Sequence, residues 1–193
     1  MKNSGHRLGN SGALNENTLE SLIYSIENSI FEKKDFKYWE FDVHESDDGV
    51  LFVFHDDEIL FEGEINILRK MNFLDIYELG ANLGINIPRL SEVIGKLSTR
   101  SEKVMIEIKN LQSENGRKEV IESISERDNW FLMSTPERFT KSFPEESRDY
   151  WHSELSSLGG KMVRVGRHRI DLFKASKSKL KWEFTKIKWF FGF

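Results

Sequence analysis

Four short pairings hold the residue types from which a catalytic site is built. Glu40 and Asp42 stand two apart in Trp39-Glu40-Phe41-Asp42-Val43, and Glu107 and Lys109 stand two apart in the segment Val104–Lys109. His6 is followed by Arg7, and His55 by Asp56. In an extended chain residues i and i+2 leave the same face, so each two-apart pair presents its groups together. Three carboxylates in one place can hold a hard divalent cation through oxygen. Two histidines beside them can exchange protons near neutral pH. Arg7 and Lys109 can neutralise a phosphate. Each signal is weak alone: an E-x-D strand is usually a solvated face, a lone histidine is more often structural, and Glu107 with Lys109 also reads as an ion pair. Glu40 and Asp42, however, alternate with Trp39, Phe41 and Val43. That pattern marks a segment covered on both sides, where a carboxylate needs a partner or a metal.

The elements that must position these residues follow from periodicity. Leu19, Leu22, Ile23, Ile26 and Ile30 recur at helical spacing and predict a helix over 17–33, with Asn17 and Glu20 resembling a capping box. A strand is expected over Tyr38–Glu45, a turn at Asp48-Gly49, and a second strand over Val50–His55. Helices are expected over Leu74–Leu83 and Leu90–Leu97, on either side of Pro88. A short strand over Val104–Lys109 precedes a helix over Arg117–Arg127 that buries Val120, Ile121 and Ile124. Trp130–Met133 and Lys161–Val165 read as later strands. Alternating helices and short apolar strands argue for an α/β domain with a mainly parallel sheet. In such sheets ligands bind at the carboxyl ends of the strands; the acids and histidines stand at or near strand ends, with His6-Arg7 near the start of the chain.

Taken in order, the motifs resemble those of the glycerophosphodiester phosphodiesterases, within the phospholipase-C-like phosphodiesterase superfamily. That family shows H-R-G, E-N-T, E-x-D-V, D-G-V, H-D and I-E-I-K in succession. Here His6-Arg7, Glu16-Asn17-Thr18, Glu40-Phe41-Asp42-Val43, Asp48-Gly49-Val50, His55-Asp56 and Ile106-Glu107-Ile108-Lys109 follow in the same order, with Ile87-Pro88-Arg89-Leu90 like the family's I-P-x-L step. The resemblance implies a metal-dependent phosphoric diester hydrolase acting on a small-molecule glycerophosphodiester. It implies His6 and His55 as the catalytic acid and base, and Glu40, Asp42 and Glu107 as ligands of Mg²⁺ or Ca²⁺. Arg7 and Lys109 would hold the phosphate. Glu16 and Asn17 would brace the first loop. His44, on the same face as Asp42, would either reach substrate or be a solvated histidine at a strand end. Two other readings stay open: a non-catalytic barrel that binds phospholipid head groups or a protein partner, and phospholipase D-like or lyase chemistry on lysolipids.

The resemblance covers about residues 4–110 and departs from the family in places. Leu8 stands where the family has the glycine of H-R-G, and Asn15 where it has the proline of P-E-N-T; Gly5 and Gly9 are expected to supply the backbone freedom instead. The segment Glu58–Phe73 leaves little room for a separate lid, so an open site is expected. The implied fold is a TIM-barrel-like phosphodiesterase fold in a single domain over 1–193. A TIM barrel usually takes about 250 residues, so the C-terminal half is expected to be shortened and the barrel incomplete. Residues 130–136 are similar to the family's closing T-D-x-P strand. In Gly159–Phe173, Arg164, Arg167, His168 and Arg169 form either an anion site or a basic loop, and His152 reads as structural.

Residues 174–193 form a basic aromatic tail, with six lysines against one glutamate. Its lysines, tryptophans and phenylalanines suit a membrane interface, while the alternation at 179–184 suits a half-buried strand. Packing against the domain is the favoured reading, and peripheral membrane contact the other. The net charge of −4 gives no reason to expect nucleic acid as a partner. The absence of cysteine excludes disulfides and thiolate metal sites. No apolar run is long enough to span a bilayer and the polar N-terminus lacks the apolar core of a signal peptide, so a cytoplasmic protein is expected. No oligomeric state follows from the sequence.

Overall fold

The computed structural model describes residues 3–187. Strands β1 (Trp39–Glu45) and β2 (Leu51–Val53) form an antiparallel hairpin around the Asp48-Gly49 turn, where Gly49 takes a φ of +81° that favours glycine. β3 (Glu58–Phe61) and β4 (Glu64–Ile67) pair with each other in a separate two-stranded sheet. β5 (Val104–Ile108), β6 (Trp130–Ser134), β7 (Met162–Arg164) and β8 (Arg167–Asp171) complete a six-stranded sheet of order β2-β1-β5-β6-β7-β8. β1, β5, β6 and β7 run parallel, and antiparallel β2 and β8 end the sheet. The α/β class and mainly parallel sheet are therefore as expected, and the barrel is not closed.

The helices are α1 (Leu19–Glu27), α2 (Phe73–Asn82), α3 (Leu90–Leu97), α4 (Glu114–Glu122), α5 (Pro136–Ser142), α6 (Arg148–Ser157), α7 (Leu172–Ser176) and α8 (Lys179–Lys186). Side-chain caps set several of their boundaries. α1 is shorter than the helix expected over 17–33, because Thr18 rather than Asn17 is its N-cap, with Oγ1 accepting from the Ser21 amide at 3.1 Å. It ends before Ser29, whose φ of +49° turns the chain out of the helix. α4 starts earlier than expected because Ser113 Oγ accepts from the Gly116 amide at 2.9 Å. In α5, Thr135 is the cap and Pro136 fills the first turn, where its missing N–H costs nothing.

Strand alternation divides the sheet into two faces. Trp39, Phe41 and Val43 of β1, Val104, Ile106 and Ile108 of β5, Leu132 of β6 and Met162 of β7 join the main core with residues of the surrounding helices. The alternate residues form the other face. There Met105, Met133 and Val163 make a small apolar patch, beside Glu40, Asp42, His44, Glu107 and Lys109, all buried. The segment after His55 folds into the β3–β4 hairpin, which together with α2 has a core of its own around Phe52, Ile59, Leu68 and Ile76.

Beyond β6 the chain closes on aromatic packing. Phe139 meets Phe173, Phe143 and Trp182 at ring distances of 4.9, 5.6 and 5.7 Å. His152 stacks on Phe173, a structural place. Residues 179–184 form a helix and not the half-buried strand that their alternation suggested. Ser178 caps it, and Trp182 and Thr185, three apart, turn inward. Arg164 is no free anion-binding group: it is buried and its Nε donates to the Thr185 carbonyl at 2.8 Å. Trp189, Phe190, Phe191 and Phe193 of the basic aromatic tail lie outside the described residues.

Candidate active site

β1 and β5 lie in parallel register with Asp42 opposite Glu107. This register gathers Glu40, Asp42 and Glu107, which offer carboxylate oxygens within 4.8 Å of one another. Glu40 and Asp42 are each 1% exposed. Lys109, one residue past β5, places its Nζ 2.8 Å from Asp42 Oδ1 and 2.6 Å from Glu107 Oε1. Burial disfavours its charge, but Asp42 and Glu107 outweigh that and hold the ammonium above its ordinary pKa. Lys109 is thus engaged by two of the three acids. Glu40 is not paired in this way. Burial first, then Asp42 and Glu107, raise its pKa well above the usual carboxylate range, against the opposing pull of the Arg7 amide and Lys109.

Residues 6–17 cover this cluster. The Arg7 amide donates to Glu40 Oε2 at 3.0 Å, and His6 Nε2 lies 3.4 Å from the same oxygen. His6 Nδ1 is bonded to Ser11 Oγ at 2.8 Å. Burial, then the neighbouring Arg7, lower the His6 pKa, with a smaller contribution from His55, against Asp42 and Glu16. Arg7 Nη1 pairs with Glu16 at 2.6 Å, while Glu16 Oε2 accepts from the Gly12 amide at 2.6 Å. Asn17 Nδ2 donates to Asp42 Oδ2 at 2.8 Å. Arg7, Asn17 and Lys109 all contact Asp42, at 3.9, 2.8 and 2.8 Å.

Arg7, Leu8 and Asn17 all have left-handed backbones, with φ of 50°, 59° and 59°. Such values are uncommon in non-glycine residues and mark stored strain. Leu8 holds its value at the family's glycine position because its side chain is fully buried in the main core. Gly9 has a φ of +93°, and a side chain there would collide with Ser25 Oγ. Gly5 contributes close packing: its φ is −92°, and a Cβ would meet the Tyr38 carbonyl.

His55 follows β2, next to Phe54, whose amide donates to the Asp42 carbonyl at 3.1 Å. Its ring is half-buried and bonded through Nδ1 to Asp56 Oδ1 at 2.7 Å. His44 is not a solvated strand-end residue. It is buried and stacked on Phe52 with ring centroids 5.5 Å apart. Burial above all pushes its pKa down to about 4.

The sequence reading missed three supporting groups. Glu45 accepts from the amides of Gln112 and Ser113 and from the Ser113 hydroxyl, tying the end of β1 to the start of α4. Its signal was parity: a carboxylate in the row of Trp39, Phe41 and Val43 must find partners. Arg138 donates to the Lys109 carbonyl at 3.0 Å and forms a two-pronged pair with Asp57 at 2.9 and 3.0 Å. A contact between residues so distant in sequence leaves no local trace. Arg138, Lys109, Arg69, Arg117 and Lys141 line a cavity of about 800 Å³ beside the acids, with Asp57 and Glu137 as the opposing charges.

The donor set fits a divalent cation. Three buried oxygen ligands converge, and buried Glu40 Oε1 has no hydrogen-bond partner; hard cations such as Mg²⁺ and Ca²⁺ take ligands of this kind. A mainly parallel, unclosed sheet thus carries the three acids and Lys109 on its strands β1 and β5 and just past them, as an incomplete α/β barrel would. The profile of the Glycerophosphoryl diester phosphodiesterase family matches residues 6–142, and the chain belongs to that family. No curated protein matches the chain. Among solved structures it is similar to a protein of Galdieria sulphuraria described as a glycerophosphodiester phosphodiesterase. The TM-score is 0.56 at 19% identity, over 83% of this chain and 62% of the other. Two proteins of Parabacteroides distasonis are also similar. One, a glycerophosphoryl diester phosphodiesterase, has a TM-score of 0.51 at 14% identity, over 95% of this chain and 57% of the other. The second, a glycerophosphodiester phosphodiesterase, has a TM-score of 0.50 at 15% identity, over 84% and 81%. The chain thus spans less than two thirds of the first two structures, and the likeness is one of fold.

Proposed function

We propose that this chain hydrolyses glycerophosphodiester-like substrates with a divalent cation, Mg²⁺ or Ca²⁺, held by Glu40, Asp42 and Glu107. The observation that carries the reading is the approach of three buried carboxylates, one with an unpartnered oxygen, beside His6. When bound, the cation supplies charge compensation for the phosphate oxygens as negative charge grows on them. The protein's own groups do the rest. His6 is neutral near pH 7 because its pKa is lowered, as a general base must be. It takes a proton from the attacking hydroxyl, and His55, its ring oriented by Asp56, returns one to the leaving alcohol. Arg7 and Lys109 hold the phosphate: Arg7 Nε has no hydrogen-bond partner, with Asp42 Oδ2 3.9 Å away, and the Lys109 ammonium has a third N–H beyond the two used on Asp42 and Glu107. The cavity beside Lys109 is the place for the head group.

A second reading has support in one observation. Lys109 already offsets two of the three acids, as it would in a non-catalytic barrel that binds phosphate-bearing head groups without metal. Hydrolysis of glycerophosphocholine and lysophosphatidylcholine, measured with Mg²⁺, with Ca²⁺ and with EDTA, separates the two. The expected result is turnover of glycerophosphocholine that EDTA abolishes and added cation restores. Full turnover in EDTA would remove the metal from the reading, and no turnover under any condition would favour the binding role.

Glu40→Gln sharpens the test. It is expected to lower turnover about 100-fold or more while leaving the metal-free fold intact. The raised pKa of Glu40 fixes the sign of a pH effect. The folded state holds a proton that the unfolded chain releases, so metal-free stability falls as pH rises from the ordinary glutamate range through the raised value. Glu40→Gln should lack that fall in chemical denaturation.

A further inference from the structure

We propose that α8 is a docking surface for anionic lipid bilayers. The helix has two unlike sides. Trp182 packs on Phe139 and Thr185 is buried, which fixes the inner side to the domain. On the outer side Leu180 and Phe184, one helical turn apart, are 69% and 61% exposed, and Ile187 just past the helix end is 52% exposed. Three large apolar side chains in one exposed row are unfavourable in water unless something covers them.

The charge around the row names what covers it. The chain as a whole carries a net charge of −4, yet residues 174–186 hold five lysines and one glutamate. Lys174, Lys177 and Lys186 pair with Asp171, Asp149 and Glu183. Lys179 and Lys181, on either side of Leu180, are exposed and form no ion pair among the described residues. Exposed lysines beside an exposed apolar row suit the boundary between acyl chains and anionic head groups. A second copy of the chain is a poorer occupant, because two such helices would bring like charges together.

The helix also sits where docking would matter. Arg164, at the end of β7, donates to the carbonyls of Thr185 and Ile187 at 2.8 and 3.5 Å. This holds the C-terminal end of α8 beside the carboxyl end of β7, and β5, parallel to it two strands away, carries Glu107 and Lys109 at its own carboxyl end. A cavity of about 660 Å³ lies between Trp182 and Lys186 of α8 and Thr135 and Arg138 beside β6. α8 therefore stands near the carboxyl ends of the parallel strands.

The test is co-sedimentation of the full chain with phosphatidylcholine vesicles, with and without phosphatidylglycerol. The protein should bind only the anionic vesicles and be released by high salt. Phe184→Asp, and separately Lys179→Glu with Lys181→Glu, should each weaken binding about tenfold or more. Leu60→Asp, on the equally exposed strand β3, should leave it unchanged. Phe184→Ser, neutral and at the same exposed position, reads the loss of the apolar contact without added charge, and melting curves show that each variant is folded. Three results would overturn the proposal. They are no binding by the parent chain, undiminished binding by the Phe184 variants, and a Phe184-dependent self-association in light scattering without lipid, which would assign the row to a second copy.

Discussion

Within the single strand β1, adjacent residues belong to opposite physical worlds. Trp39, Phe41 and Val43 point into an apolar core built with β5 and the helices. Glu40, Asp42 and His44 point the other way and are just as buried, but among charges, a strained loop and an unpartnered carboxylate oxygen. The first face stabilises the fold without taking part in chemistry. The second keeps Glu40, Asp42, His44 and Lys109 out of water, where burial works against their charged forms. One strand does both because side chains alternate sides at every residue. Stability and function are therefore separable by parity, and substitutions one residue apart should have opposite signatures.

The largest stability effect is expected on the apolar face. Phe41→Ala removes a fully buried ring and should cost about 3–5 kcal/mol, read as a lowered midpoint in chemical denaturation with an unchanged slope. A loss below about 1 kcal/mol would mean that the face relaxes around the cavity and that the division is weaker than drawn.

On the polar face the test is a pH dependence at His44. Its pKa of about 4 in the folded protein lies below the ordinary histidine value of 6.5. The folded state holds it neutral while the unfolded chain can protonate it. Its contribution to stability is complete above pH 6.5 and is lost as pH falls toward 4. The span corresponds to on the order of 3 kcal/mol. His44→Phe, which keeps the stacking on Phe52, should flatten the acid limb of stability in the metal-free protein. An unchanged acid limb would assign the acid sensitivity to other groups.

The smallest effect is expected where the two faces meet, at Leu8. Leu8→Gly relieves a left-handed backbone, about 1–2 kcal/mol for an L-residue, but gives up a buried leucine worth about 2–5 kcal/mol. The net should be a loss of about 1–3 kcal/mol. A gain in stability would show that the strain outweighs the packing.

Much of this was legible in the sequence because it was local. The residues Glu40, Asp42 and Glu107 could be read as one cluster since i, i+2 spacing fixes their face and the order of motifs fixes their strands. α3 was read at its observed ends because Leu90, Val93 and Leu97 follow a clean helical repeat. What escaped was decided by contacts at a distance. Lys109 reads equally as a phosphate ligand or as the partner of Glu107, and only the β1–β5 register brings Asp42 to it. His44 reads as a strand-end histidine until Phe52 and the turn of β2 cover it. Residues 179–184 alternate like a strand, yet the Ser178 cap and the Arg164 bonds to α8 carbonyls select a helix. The strain at Arg7 and Leu8 could not be seen in residue types that normally avoid it.

The register of β1 also sets a timetable. Trp39 lies opposite Val104, so the strand that carries two of the acids waits for a partner made much later in synthesis. Until then β1 has only the nearby β2 hairpin, while β3, β4 and α2 can settle around their own small core. Closing such long loops is slow relative to local contacts. The like-charged acids meanwhile remain in water, where they repel weakly and cost little. They are forced together only when β5 slides in, and β5 leads directly to Lys109, whose ammonium bridges Asp42 and Glu107. The charge that neutralises Asp42 and Glu107 thus arrives on the same stretch of chain that brings Glu107 to β1.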